Sequence, residues 1–426
     1  MSAAYEPVLL RRLGDASARD IDGYERTGGY GALRKALQEM TPESVTAEVI
    51  AANLRGRGGA GFPTGRKWSF IPKDAPVKYL AVNADESEPG TFNNRVFIDA
   101  DPHALIEGIL LCCYAVGIGA AYIYIRGENV VGARALERAV DQARAKGYVG
   151  SGILGTAFSC EILVFRGAGA YICGEETALL ESIEGRRPQP RSRPPFPAVV
   201  GLFGKPTVIN NVETLGCVPS IVERGAAWFK TIGPENAPGP KLYCLSGHVA
   251  KPGVYERPMG TSLRELIEDA GGVRDGRELG FVIPGAAAST ALRPDEIDVA
   301  MEFDALRKIG SELGAGGIMV FDDRVCVVDA VERLARFFRH ESCGKCVPCR
   351  EGTVWQHEIL KRLQAGTATD GDLPLLVTVS EQIGGKTLCA LGDFAAAPPQ
   401  GALRKFPEHF LAHARGACPM KDQVPA

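Results

Sequence analysis

Residues 77–95, VKYLAVNADESEPGTFNNR, decide the fold. The first part, VKYLAVN, is a short apolar run of strand type, and the second places Asp85, Glu86 and Glu88 among small residues just beyond its end. Open α/β sheets hold ligands in the crevice at the carboxyl ends of their strands. Downstream, the strand-like runs AYIYIR (121–126) and CEILVFRG (160–167) alternate with the helical patterns HALIEGILLCCYAVG (103–117) and NVVGARALERAVDQARAKG (129–147). This alternation predicts an α/β layer with a largely parallel sheet between about 75 and 240.

Upstream lies RGRGGAGFPTGRKW (55–68), in which Gly56, Gly58 and Gly61 satisfy G-x-G-x-x-G. The match alone is weak. A dinucleotide fingerprint needs a strand before the loop and a helix after it, whereas here the helical PESVTAEVIAANL (42–54) precedes and Pro63 and Gly65 follow at once. Backbone N–H groups exposed by five glycines, with Arg57, Arg66 and Lys67 alongside, still suit a phosphate. Phe62, Trp68 and Phe70 add aromatic faces, so the loop reads as a nucleotide cradle. Residues 1 to about 40 read as a polar arm leading into a short helix.

A second acidic turn, GAGAYICGEETALLESIEG (167–185), follows the third strand-like run. Glu175 and Glu176 open a helix, where the dipole favours acids in any case. The chain has six histidines and none lies near these carboxylates in sequence, so bonding to a ribose hydroxyl or a flavin edge is more economical than acid–base or metal duty. Arg186 to Pro197 is a Pro-rich loop, ordered or ligand-covering, and Pro234 to Pro240 reads as a linker.

From Lys241 the texture changes to two short strands around a Pro-Gly turn and one amphipathic helix, a small β-rich module ending near 320. The last hundred residues read as helical; Val327, Val328, Val331, Leu334, Ala335 and Phe338 recur at three- and four-residue steps. Among them, ESCGKCVPCREG (341–352) sets Cys343, Cys346 and Cys349 at successive two-residue gaps. Three thiolates so spaced converge on one inorganic core, as in bacterial ferredoxin loops, whereas zinc sites usually come as separated pairs. Thr353 stands where a fourth local cysteine would be, so the fourth ligand comes from Cys389 or Cys418; Cys389 sits in a tight Gly-flanked turn and is preferred over Cys418 near the chain end.

Length and composition bound these readings. The 426 residues suit two to four domains, and 45% apolar with 23% charged residues is ordinary for a globular chain. The net charge of −3 offers no general attraction to nucleic acid or anionic lipid. The first twenty residues have no signal-peptide core and contain acids unsuited to a transit peptide. The 18-residue charge-free run 108–125 meets the lower limit for a membrane span, but Gly117 and Gly119 split it into a helix and a strand. Without an export signal, twelve cysteines point to ligation or burial rather than to disulfides.

These motifs, together with PTVINNVET (206–214) and TLCALGDF (387–394), resemble the NADH-binding flavoprotein subunit of respiratory complex I over nearly the whole chain. The resemblance implies three parts: an FMN- and NADH-binding α/β domain with its N-terminal arm (1–240), a ubiquitin-like β-grasp domain of SLBB type (241–322) and a C-terminal helical bundle (323–426) carrying a 4Fe–4S cluster. It implies that Gly56, Arg57, Gly58, Gly59, Gly65 and Lys67 form the flavin and nucleotide loop. Asn83, Asp85, Glu86, Tyr171, Gly174, Glu175, Asn210, Asn211 and Thr214 hold FMN. Glu88 and Glu176 face the nicotinamide, and Phe62, Phe70 and Phe196 stack on the adenine. Cys343, Cys346, Cys349 and Cys389 ligate the cluster. NADH yields electrons as a pair and the cluster takes them singly, so something between them must split the pair, which a flavin can do. The implied partners are a thioredoxin-like 2Fe–2S subunit and a large multi-cluster subunit, in a peripheral arm on the cytoplasmic face of a bacterial membrane. A flavoprotein subunit of an NAD-linked hydrogenase or formate dehydrogenase is the alternative. Asn94, where the family pattern suggests an acid, and the Ala-rich loop around Gly285 depart from it, at positions that carry no flavin or cluster chemistry in the family, which puts only local packing or subunit contacts in doubt.

Overall fold

A computed structural model describes residues 5–420. The chain forms two compact units. The first comprises Met1–Ser87, Phe92–Leu242 and Glu256–Gly260, and the second Glu88–Thr91, Tyr243–Tyr255 and Thr261–Ala426.

In the first unit, β1 (Tyr79–Ala84), β2 (Ala120–Ile125), β3 (Glu161–Arg166) and β4 (Thr207–Asn211) form an all-parallel sheet of order β3-β2-β1-β4. The expected α/β layer is therefore present. Its register sets Val82 beside Asn210 and Asn83 beside Asn211 at the carboxyl ends of β1 and the edge strand β4. Ala81, Tyr124, Leu179, Leu180, Ile183, Leu202 and Ile209 close over one face as a buried cluster, which anchors the Glu176–Ile183 helix beneath the strand ends.

The charge-free run 108–125 is not a membrane span. It is the end of the buried Pro102–Val116 helix, a turn at Gly117 in the left-handed region, and β2. No helix among the described residues is long and apolar enough to cross a membrane. Glu107 is buried on that helix and accepts from the Tyr24 hydroxyl, Tyr30 N at 3.0 Å and Leu33 N at 3.0 Å. This corrects the reading of an arm for the described residues 5–30, residues 1–4 lying outside them: Ile21–Arg26 is already a helix ahead of the expected short one, Gly31–Glu39, and Tyr24, Tyr30 and Leu33 are fully buried against the satisfied carboxylate. A polar composition concealed the three large anchors that hold it down. The segment before them is tied as well, because the Glu256 carboxylate accepts from the backbone N–H of Val8, Leu9 and Leu10.

The stretch read as a linker, Pro234 to Pro240, is also built in: Ala237 is buried, Gly239 N donates to Ile232 O at 2.7 Å, and Pro238 O accepts from Arg57 Nη2 at 2.7 Å.

The other sheet has the order β6-β5-β8-β7, from β5 (Pro240–Gly247), β6 (Gly253–Pro258), β7 (Leu279–Ile283) and β8 (Gly317–Asp322), with β5 parallel and β7 antiparallel to β8. Its amphipathic helix, Leu263–Asp269, starts at a Ser262/Glu265 capping box. Five helices follow, Val327–Glu341, Val347–Ala365, Asp372–Ile383, Leu391–Lys405 and Pro407–Ala414, as expected for a helical end. The first four bury one another; a Cβ at Gly352 would lie 2.5 Å from Ile383 Cγ1, so glycine permits the close approach of its helix to the next.

Candidate functional site

The glycine loop lies between the Pro42–Ala51 and Thr64–Ser69 helices, so it is not a strand-to-helix fingerprint. Gly56 N donates to Phe62 O at 2.9 Å and Arg55 Nε to Gly61 O at 2.8 Å, which folds the loop on itself. Gly59 and Gly61 have φ of 121° and 64°, which glycine alone adopts without strain. Two contacts carry the loop to the sheet. Arg57 N donates to Thr214 Oγ1 at 2.8 Å, and a Cβ on Gly58 would stand 3.0 Å from Asn211 Cβ. Gly65 serves packing instead, since a Cβ there would strike Ile50.

Just after the loop, Lys67 Nζ bonds the Glu176 carboxylate and donates to Ile209 O at 3.1 Å, while the buried Trp68 ring donates to Asn210 Oδ1 at 2.8 Å. Neither anchor was read from the sequence for what it does; Trp68, one of only three tryptophans and next to Lys67, was the available signal. Asn83 Nδ2 donates to Gly174 O at 2.8 Å, and an added Cβ on Gly174 would lie 3.7 Å from Asp85 O and Oδ2. The loop, the carboxyl ends of β1 and β4 and the 171–176 turn thus meet in one place within the first unit. They bring together Gly58, Lys67, Asn83, Asp85, Gly174, Glu176, Asn210, Asn211 and Thr214; Tyr171 opens the short turn that ends at Gly174.

Two of the predicted acids spend their side chains on helix ends. Glu175 caps the Glu176–Ile183 helix, accepting from Thr177 N at 2.8 Å and Ala178 N at 2.9 Å. Glu86 accepts from Asn94 N at 2.7 Å and Arg95 N at 2.9 Å; burial nevertheless raises its pKa, against the pull of these donors. Phe62, Phe70 and Phe196 are exposed, at 42, 52 and 58%, and the first two rings sit 6.1 Å apart at a tilt of 49°. Apolar rings left so open are available to stack.

Glu88 belongs to the second unit, where it is half-buried and accepts from Ala288 N at 2.9 Å; burial pushes its carboxyl up to about 7. The Ala-rich loop therefore bonds a predicted site residue, and Asn94 does likewise, its Oδ1 accepting from Asn211 Nδ2 at 2.7 Å. Each departure from the family pattern thus makes a local packing bond within its own unit, Ala288 to Glu88 in the second and Asn94 to Asn211 in the first. A surface recess of about 500 Å³ lined by Glu184, Arg186, Arg191 and Phe203 contains none of the predicted residues, and its arginines are already paired with Glu181 and Glu184.

The residues fit a flavin nucleotide. Arg57 is fully buried, yet its Nε and Nη1 have no hydrogen-bond partner among the described residues. A buried cation with spare donors beside a glycine loop suits an anionic ligand. The triplet fits a cluster as well. Cys346 stands at the N-cap position of the Val347–Ala365 helix with Cys349 in its first turn, and Gly344, at φ 76°, lets the chain turn between Cys343 and Cys346. Burial, with Cys346 and Cys343 alongside, pushes the Cys349 thiol up to about 11. Thr353 is buried and its hydroxyl donates to Cys349 O at 2.8 Å. Cys389 is half-buried in the turn before the Leu391–Lys405 helix. Cys418 lies with Cys326 and His413. Seven of the eight cysteines outside the predicted ligand set are buried, as their default reading has it.

Fold and site together define a flavin- and iron–sulfur-binding oxidoreductase subunit. Residues 49–220 match the Nuo51 FMN-binding domain, residues 242–283 the SLBB domain, and residues 329–413 the NADH-ubiquinone oxidoreductase-F iron-sulfur binding region. The last range includes Cys389 and leaves out Cys418. The chain is 55% identical over 411 residues to the second F-type NADH-quinone oxidoreductase subunit of Rhizobium meliloti, covering 96% of this chain and 98% of that one. It is 50% identical over 422 residues to the F-type NADH-quinone oxidoreductase subunit of Mycobacterium tuberculosis, covering 97 and 95%. Among solved structures, the NAD+-reducing [NiFe]-hydrogenase in the H2-reduced state is similar with a TM-score of 0.84 and 36% identity, over 97% of this chain and 67% of that one. The chain belongs to the family of F-type NADH-quinone oxidoreductase subunits, and its cofactors are FMN and a 4Fe–4S cluster.

Proposed function

We propose that this chain admits electrons to an NADH:quinone oxidoreductase, taking them from NADH and handing them to partner subunits. The observation that carries this reading is the meeting of the glycine loop, the β1 and β4 ends and the 171–176 turn at one cleft, on a chain that also gathers three cluster-type cysteines. When bound, FMN accepts a hydride and releases electrons one at a time, and the cluster carries them onward.

The protein's part is to bind, orient and keep out water. Arg57, Lys67 and the loop amides hold phosphate charge, and Asn83, Asp85, Asn210, Asn211 and Thr214 fix the ring by hydrogen bonds. Phe62, Phe70 and Phe196 stack on the adenine, while Glu88 and Glu176 set the charge near the nicotinamide. Cys343, Cys346, Cys349 and Cys389 hold the cluster within the 323–426 bundle. No protein nucleophile is needed.

The partners in this reading are a thioredoxin-like 2Fe–2S subunit and a large multi-cluster subunit, in an arm on the cytoplasmic face of the membrane. The second reading, the flavoprotein part of an NAD-linked hydrogenase, has the structural likeness in its favour. Coverage supports the first: this chain spans 98% of its Rhizobium meliloti relative and 67% of the hydrogenase chain. Steady-state assays on the anaerobically purified holoprotein test the proposal. NADH-driven ferricyanide reduction without quinone reduction is expected; quinone reduction by the chain alone, or no NADH oxidation, contradicts it.

A further inference from the structure

Cys326, His413 and Cys418 belong to no motif, yet their ligand atoms all lie within 4.8 Å of one another. Cys326 Sγ is 3.1 Å from His413 Nε2. On the other side of the ring, His413 Nδ1 is 3.0 Å from Leu363 O. A carbonyl can only accept, so Nδ1 carries the proton and Nε2 turns its lone pair toward the thiols. That is the arrangement around metal-bound histidines, whose second nitrogen is fixed by a backbone carbonyl or carboxylate. Cys326 and His413 are buried and Cys418 is half-buried, which opens the group to solvent on one side only.

We propose that Cys326, His413 and Cys418 form a second metal centre that takes one zinc ion, separate from the 4Fe–4S cysteines. Two thiolates and an imidazole are the donors zinc prefers, and a water fills the fourth, solvent-facing position. Thiolates about 2.3 Å from a tetrahedral zinc stand about 3.8 Å apart, so the ion draws the three atoms in by about an ångström at most. Binding makes two Zn–S bonds and one Zn–N bond, sends two thiol protons to solvent and involves no electron transfer. The ion joins the N-cap of the Val327–Glu341 helix, which leads directly to Cys343, to the turn after the Pro407–Ala414 helix. A four-iron cluster does not fit, having only two thiols here. A nucleophilic cysteine does not fit either, because Cys326 is enclosed.

The test uses the full-length holoprotein, purified anaerobically, loaded with zinc and dialysed against a weak chelator before zinc, iron and flavin are counted. One zinc per chain is expected in the parent and in Cys343→Ser, with at least a tenfold loss of zinc affinity in Cys326→Ser and Cys418→Ser. Iron and flavin stay at parent levels in Cys418→Ser, whose half-exposed position keeps the test valid if Cys326→Ser fails to fold. Cobalt in place of zinc gives thiolate charge-transfer bands that vanish in the same two variants. A parent that binds neither metal, zinc retained in Cys418→Ser, or a Cys326–Cys418 disulfide in the anaerobic protein overturns the proposal.

Discussion

A carboxyl that loses water on folding holds its proton longer, and Glu88 does so: its ordinary value of 4.5 rises to about 7, and Ala288 N only partly offsets the burial. The sign of the linkage follows. Between about pH 4.5 and 7 the folded protein binds more protons at this site than the unfolded chain, so stability falls as pH rises through that window. Glu88→Gln keeps the acceptor for Ala288 and removes the charge. Its Tm gain over the parent should therefore be absent near pH 4.5 and grow up to about pH 7; a gain independent of pH contradicts the assignment. If Glu88 stands on the nicotinamide side as proposed, its charged form favours the cationic product, so NAD+ inhibition should strengthen through about pH 7 in the parent and lose that dependence in the variant. An unchanged inhibition profile removes Glu88 from the nicotinamide side. The sequence showed the acid but not its environment, since Ala288 stands two hundred residues away. Asn94 was legible as a departure from pattern, but its bond to Asn211 depends on a pairing that no spacing reveals.

Among elements, the Val212–Arg224 helix holds Asn211 and Thr214 in place from its N-terminus. Glu213, between them, is fully buried with Lys241: Nζ is 2.7 Å from Oε2, Leu242 N donates to Oε1 at 2.8 Å, and Asn93 Nδ2 donates at 3.0 Å. Removing one partner of such a pair leaves the other charge uncompensated. Lys241→Met should cost about 3–5 kcal/mol in denaturant unfolding and lower flavin occupancy, because the stranded Glu213 lies two residues from Asn211 and next to Thr214. A loss below about 1 kcal/mol, or full flavin retention, contradicts this coupling. Elements defined by their own periodicity, such as β1, β2, β3 and the Val327–Glu341 helix, were legible. The 234–240 stretch and residues 5–30 were not. Their order comes from Arg57, Glu107 and Glu256, each reaching across the chain, while local composition looked like linker and arm.

At the scale of the whole molecule, the residues proposed to hold FMN fall in the first unit and the cysteines proposed as cluster ligands in the second. The two cofactors should therefore be separable by mutation. Cys389→Ser should lose most of its cluster iron yet keep FMN and its bleaching by NADH, whereas Cys418→Ser should keep the cluster. A cluster intact in Cys389→Ser and lost in Cys418→Ser contradicts the ligand choice. The triplet was legible because its ligands are local, but Cys326, His413 and Cys418 were not, being assembled from positions almost a hundred residues apart. The central claim is that one polypeptide holds both a flavin and an iron–sulfur cluster that NADH reduces. Its most direct test is to quantify FMN, iron and sulfide in the anaerobic full-length protein and record its visible spectrum before and after NADH. The account predicts about one FMN and about four cluster irons per chain, with both sets of bands bleached by NADH. A colourless protein without FMN, or a spectrum that NADH leaves unchanged, would contradict it.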